Sequence, residues 1–130
     1  MILGIGTDMV DSRRLARWLQ HFDDQRLARV FHATELAEYR TRPNPTLFLA
    51  SRFAAKEALA KAFGTGIGAQ LRLNEIRVVA LDLGKPALEL SGQSQHDAAI
   101  RFGAPNSWAM HVSLSTEDPY ALAFVVLTRC

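Results

Sequence analysis

A run from Leu47 to Phe63, rich in alanine and leucine and followed by Gly64, constrains this chain more than any other stretch. It reads as one helix with a glycine stop. At about 100° per residue, Arg52 and Lys56 lie together, and Glu57 and Lys61 lie together roughly 100° further round. Phe53 and Ala60 fall between the two polar pairs, and apolar residues occupy nearly every sector. A helix on the surface of a globular protein keeps one polar side. This one must be covered along much of its circumference, with its charges aimed at specific places. A chain of 130 residues is long enough to provide that cover as one domain, residues 1–130.

The flanking segments supply the cover. Ile2 to Thr7 is a short, glycine-bearing apolar run, read as a buried strand that ends at Asp8. Asp11 or Ser12 then caps a helix whose core face is Leu15, Trp18, Leu19 and Phe22. Arg13, Arg14 and Arg17 fall on its opposite face. A second short helix runs through Leu27, Val30 and Phe31, and Thr34 caps a third from Glu35 to Arg40. Pro43 and Pro45 break the chain before the long helix. After the loop Gly64 to Gly68, residues 75–83 and 87–90 read as strands around the turn Gly84-Lys85-Pro86. Residues 91–102 read as a helix. In the strand 108–115, Trp108, Met110, Val112 and Leu114 point one way, and Ala109, His111, Ser113 and Ser115 the other. Residues 120–127 are apolar on both faces, as in a central strand or an oligomer contact. The pattern is α+β: one mainly antiparallel sheet packed against a long central helix and shorter helices.

Composition narrows the function. Apolar residues make up 48% and charged residues 22%, as in soluble globular proteins. Fifteen Lys and Arg against thirteen Asp and Glu leave a net charge of +2, too little to argue for nucleic acid. No apolar run approaches the length of a membrane span, and the start lacks the basic region of a signal peptide. Cys130 is the only cysteine, so no disulfide forms within the chain and a reducing, cytoplasmic setting is expected. There is no CxxC, HExxH or GxSxG, which removes support for zinc enzymes and the common serine hydrolases.

Four features can carry chemistry, and each has a plainer reading beside it. Asp8 follows a strand and precedes a helix, where sites gather; it can equally be a cap or a turn residue. Glu57 and Lys61 are spaced as a helix ion pair, acid first. On so apolar a helix, a carboxylate needs a cation, a metal or a proton. His111 lies on a strand face whose small neighbours leave room for a phosphate or a substrate; a lone histidine is also often structural. Arg13, Arg14 and Arg17 form either a solvated face or a dock for an acidic partner. The loop Gly64-Thr65-Gly66 follows a helix, unlike a Walker loop, and is by itself a stop and a turn.

Four motifs together give a more specific answer. Gly4-Ile5-Gly6-Thr7-Asp8-Met9-Val10 opens the chain. Phe48-Leu49-Ala50-Ser51-Arg52-Phe53-Ala54-Ala55-Lys56-Glu57-Ala58 continues through Lys61-Ala62-Phe63-Gly64-Thr65-Gly66. Gly84-Lys85-Pro86 and His111-Val112-Ser113-Leu114-Ser115 follow. In order and spacing they resemble the short bacterial 4′-phosphopantetheinyl transferases, the holo-[acyl-carrier-protein] synthases, over essentially the whole chain. His32, where such proteins often carry Ser or Thr, and Thr116, where many carry His, are small departures.

The resemblance implies the 4′-phosphopantetheinyl transferase fold and a magnesium-dependent reaction in fatty acid biosynthesis. Coenzyme A gives its 4′-phosphopantetheine arm to a serine of apo acyl carrier protein, and adenosine 3′,5′-bisphosphate leaves. It implies that Asp8 and Glu57 hold the magnesium, with Lys61 as a third catalytic group. Arg52, Lys61, Gly64, Thr65, Gly66, Lys85, Pro86 and His111 would surround the coenzyme, and Arg13, Arg14 and Arg17 would meet the acidic carrier. It implies a homotrimer with sites between subunits, and a soluble enzyme without nucleic acid or membrane partners. The serine's proton would pass to Asp8, Glu57 or a water, with Glu57 favoured. The rival classes are a binding module without chemistry and a coenzyme-binding subunit inactive on carriers.

Overall fold

A computed structural model describes residues 1–68 and 70–130. Its elements are β1 (Ile2–Asp11), α1 (Ser12–His21), α2 (Asp24–Ala28), α3 (Ala33–Tyr39), α4 (Pro45–Phe63), β2 (Ile76–Ala80), β3 (Pro86–Leu90), α5 (Gly92–Phe102), β4 (Trp108–Glu117) and β5 (Tyr120–Arg129). The α+β class holds. The hydrogen bonding, however, divides into an antiparallel three-stranded sheet, ordered β1-β5-β4, and a separate β2-β3 hairpin, rather than one sheet.

As its composition requires, α4 is the centre of the molecule. Leu49, Ala50, Ala54, Ala55, Ala58 and Leu59 have no exposed surface. The helix starts two residues earlier than expected. Asn44 caps it by accepting from the Leu47 N–H at 3.2 Å, and Pro45 occupies the first position, where no N–H is needed. Gly64 ends it in the left-handed conformation (φ 79°), its N–H donating to the Ala60 and Lys61 carbonyls.

Strand β1 does not stop at Asp8. It pairs with β5 as far as Asp11, with Asp8 opposite Ala123 and Val10 opposite Ala121. Pairing along a full partner strand overrides the poor strand propensity of aspartate. Asp11, not Asp8, caps α1. From Gly4 onward the even-numbered residues of β1 face α4, and glycine at two of them lets backbone rest on backbone. A Cβ on Gly4 would lie 2.0 Å from the Ala62 carbonyl oxygen, and one on Gly6 would lie 2.0 Å from that of Ala58. Two strand residues advance about 6.7 Å and four helix residues about 6 Å, so the two backbones stay in step.

The other helices close the core around this contact. Leu15 of α1 is buried, and Trp18 stacks on Phe22 at 5.4 Å and meets the edge of Phe53 of α4 at 4.9 Å. His32, not Thr34, caps α3. Its Nδ1 accepts from the Thr34 N–H at 3.1 Å, and Glu35 returns a carboxylate oxygen to the His32 N–H at 3.0 Å. The imidazole thereby does what a Ser or Thr hydroxyl does in a capping box. The sheet's inner face is Ala121, Ala123, Val125 and Leu127, all buried; β5 is the central strand. Its outer face leaves Ile5, Met9, Leu122 and Phe124 between 42% and 65% exposed.

Candidate active site

The register of β1 on α4 carries Asp8 to the site. Asp8 is on the same face as Gly4 and Gly6, so it points toward α4 beyond the end of the glycine contact. Lys61 Nζ donates to the Thr7 carbonyl at 2.9 Å and to Asp8 Oδ1 at 3.1 Å. The expected Glu57–Lys61 ion pair does not form; Lys61 turns to β1 instead. Glu57, one turn earlier, is half-buried, and no hydrogen bond or ion pair to it is present among the described residues. Burial first, and then the charge of Asp8, push its carboxyl above the usual range, against the pull of Arg14 and Lys61. Two carboxylates thus share one neighbourhood with two cations.

That pair fits a magnesium ion. Magnesium takes oxygen ligands, often only one or two carboxylates, and completes its shell with water and substrate phosphate. Among the described residues no cluster of three or more His, Cys, Asp or Glu suits a metal. The chain itself would therefore supply two ligands and leave the remaining positions open.

Arg14 adjoins this cluster. Its guanidinium lies 5.0 Å from the centre of the Trp18 ring and 5.2 Å from that of Phe53, close enough to lower the Glu57 carboxyl. Arg13 is engaged elsewhere, paired with Asp11 at 2.6 Å. Hydrogen bonds from Arg13 hold the Asp11 carboxyl down at about 2. Arg17 is exposed. The three expected docking arginines are therefore unequal.

The remaining expected coenzyme residues do not converge on Asp8 within one chain. Gly64, Thr65 and Gly66 do adjoin Lys61, at the end of α4. Arg52 is on another side of α4, its guanidinium 4.3 Å from the centre of the Phe48 ring. It lines a groove of about 340 Å³ with Arg42, Asn44, Ser51 and Thr116. Arg42 is tied to Glu38 at 2.6 Å, while Arg52 has no ion pair among the described residues and its buried Nε has no partner. A partly buried guanidinium without a carboxylate suits an anionic ligand. Lys85 and Pro86 are at the β2-β3 turn. His111 faces outward on β4, opposite Val126 in the register, with Nε2 2.9 Å from Thr128 Oγ1. Val126 is in turn opposite Ile5, on the face away from Asp8. Asp8 and His111 are therefore on opposite sides of one sheet. A second cavity, about 200 Å³ and lined by Leu90, Ala99, Pro105, Trp108 and Met110, is largely apolar and involves none of these residues.

Two contributions escaped the sequence reading. Gly4 and Gly6 read as glycines of an apolar run and of the first motif, without a structural role. Their signal was the two-residue spacing matched to Ala58 and Ala62, four apart on the helix. Lys56 is fully buried and paired with Glu35 at 2.7 Å. Its placement on the apolar helix was legible, but its partner was not.

Comparison with known proteins gives the family. Residues 4–125 match the model of the 4′-phosphopantetheinyl transferase superfamily. The holo-[acyl-carrier-protein] synthase of Alkalilimnicola ehrlichii is 46% identical over 129 residues, 98% of this chain and 97% of its own. The crystal structure of the corresponding Neisseria meningitidis protein superimposes with a TM-score of 0.86 at 36% identity, covering 99% of this chain and 100% of that one. A Bacillus anthracis holo-(acyl-carrier-protein) synthase, solved in complex with CoA (3′,5′-ADP), gives 0.79 at 33% identity, covering 100% and 99%. With a carboxylate pair at the strand-helix contact and relatives matched along nearly its whole length, the chain belongs to the 4′-phosphopantetheinyl transferase superfamily.

Proposed function

We propose that this chain is a holo-[acyl-carrier-protein] synthase, acting through residues 1–130 as one domain. It transfers the 4′-phosphopantetheine arm of coenzyme A to a serine of apo acyl carrier protein, within fatty acid biosynthesis in the cytoplasm. The observation that carries this reading is the meeting of Asp8, Glu57 and Lys61 at the β1–α4 contact.

The reaction joins the serine Oγ to the phosphorus that bears the pantetheine arm. The anhydride bond to the second phosphate breaks, and adenosine 3′,5′-bisphosphate departs with the electron pair. Asp8 and Glu57 would hold magnesium, which when bound neutralises the pyrophosphate and favours departure of the leaving group. Glu57 accepts the serine proton, directly or through water. Lys61 fixes Asp8 from one side and offers its remaining proton to a phosphate oxygen. Arg52, whose Nε has no partner among the described residues and whose Nη1 donates only to Ser51 Oγ at 3.2 Å, offers its guanidinium to a further phosphate. Gly64 to Gly66, Lys85, Pro86 and His111 complete the coenzyme site.

We place that completion between subunits of a homotrimer. Asp8 and His111 are on opposite faces of the sheet, and the His111 face carries the exposed Ile5, Met9, Leu122 and Phe124. An apolar patch of this kind favours association. Arg14 and Arg17 would receive the acidic carrier beside Glu57, with Arg13 contributing less because Asp11 neutralises it.

The test mixes the protein with coenzyme A, magnesium and apo carrier and weighs the carrier by mass spectrometry. The expected result is a carrier heavier by one phosphopantetheine. An unmodified carrier under saturating coenzyme would overturn the reading.

A further inference from the structure

Lys56 is next to Glu57 on α4 but points into the protein, where it is fully buried. Its three ammonium protons meet three oxygens: Glu35 Oε1 at 2.7 Å, the Leu73 carbonyl at 2.8 Å and the Ile76 carbonyl at 2.5 Å. The Phe31 ring centre is 5.7 Å away. Glu35 is buried too, and its Oε1 also accepts from the His32 N–H, while Oε2 has no partner among the described residues.

Stability does not account for this arrangement. A buried ion pair contributes little against apolar side chains of the same volume, and less when one oxygen is left unsatisfied. The two carbonyls suggest another role. Ile76 begins β2, whose hairpin turn carries Lys85 and Pro86, whereas α4 carries Glu57 and Lys61. Among the described residues the hairpin shares no hydrogen-bonded ladder with the main sheet. Lys56 bonds its first residue directly to the catalytic helix.

We propose that Lys56 is a positioning residue, tethering the start of the β2-β3 hairpin to α4 so that the Lys85–Pro86 turn is held at a fixed place relative to Glu57 and Lys61. The proposal rests on the reading of Lys85 as a coenzyme contact. Misplacement by about an ångström is enough to cost an active site heavily.

Two variants separate tethering from stability. Glu35→Gln weakens the ion pair but leaves Lys56 its two carbonyls. The double variant Glu35→Met with Lys56→Met removes the tether but refills the volume with apolar atoms. The expected result is crossed. Glu35→Gln melts earlier yet binds coenzyme A like the parent protein by calorimetry. The double variant melts no lower than Glu35→Gln yet binds about tenfold more weakly. Amide exchange across residues 76–90 should quicken in the double variant alone. Affinity that follows melting temperature in both variants overturns the proposal, as does parental affinity in the double variant or a double variant that fails to fold. Lys85→Ala tests the underlying reading separately. If it binds coenzyme like the parent, Lys85 is not a contact, and the exchange measurement still decides whether Lys56 holds the hairpin.

Discussion

The two faces of the three-stranded sheet are built from opposite materials. On the inner face, where Asp8 is placed, Gly4, Gly6, Ala121 and Ala123 are small, and β1 rests on α4 at backbone distance. On the outer face, Ile5, Met9, Leu122 and Phe124 are large and half exposed, with His111 among them. One chain completes the inner face. The outer face leaves these apolar side chains uncovered in one chain. The acids of the proposed site belong to the first kind of surface and the histidine to the second, so within one chain they are kept apart by the sheet.

The largest effect should come from breaking the inner face. Gly6→Val places a Cβ against the Ala58 carbonyl and should destabilise the protein by about 3 kcal/mol or more in denaturant unfolding. A variant as stable as the parent would mean that the close approach is not real. Next come the acids that this face positions. Asp8→Ala and Glu57→Ala should each lower the transfer rate by about 10³-fold with unchanged circular dichroism. Near-normal turnover in either would remove the metal assignment.

The outer face is broken by Phe124→Glu. Sedimentation should show monomers, and transfer should fall by about 10²-fold although each chain remains folded. A fully active monomer would show that His111 is not needed from a neighbour. A smaller effect is expected at the rim. Arg14→Glu should raise KM for the carrier by about tenfold and leave coenzyme affinity unchanged, while Arg13→Ala should do much less, since Asp11 already holds Arg13. Equal losses in both would equate the two arginines.

The smallest effect concerns pH. The Glu57 carboxyl titrates above its ordinary 4.5 in the folded chain, so ionising it costs more in the fold than in the unfolded state. Without divalent metal, stability should therefore fall as pH rises from about 4.5 through the folded value. Glu57→Gln should flatten that dependence and raise the melting temperature at neutral pH. Thermal scans across pH in chelator would show it, and an unchanged slope would mean that Asp8 and burial do not act on Glu57.

Much of this was legible in the residues. The crowded circumference of α4 announced its central place, and the alternation from Trp108 to Ser115 announced which side of β4 His111 takes. The end of β1 is not encoded locally, because aspartate is a poor strand former and only the pairing with β5 carries the strand through Asp8 to Asp11. The face that Asp8 occupies, opposite to that of His111, is therefore set by the pairing and not by the local sequence. Lys61 read as the partner of Glu57 because helix spacing is local. Its actual bond to Asp8 crosses to another element, and nothing within one helix encodes it. The Glu35–Lys56 pair was hidden for the same reason.

The contact of β1 with α4 has a consequence for how this sequence can drift. The spacing between strand and helix is set by peptide groups, whose dimensions no substitution alters. Side chains elsewhere in the interior can exchange volume among themselves while the two carboxylates keep their separation. The chemistry is insulated from ordinary repacking, and its vulnerability is concentrated in two hydrogen atoms, the missing side chains of Gly4 and Gly6.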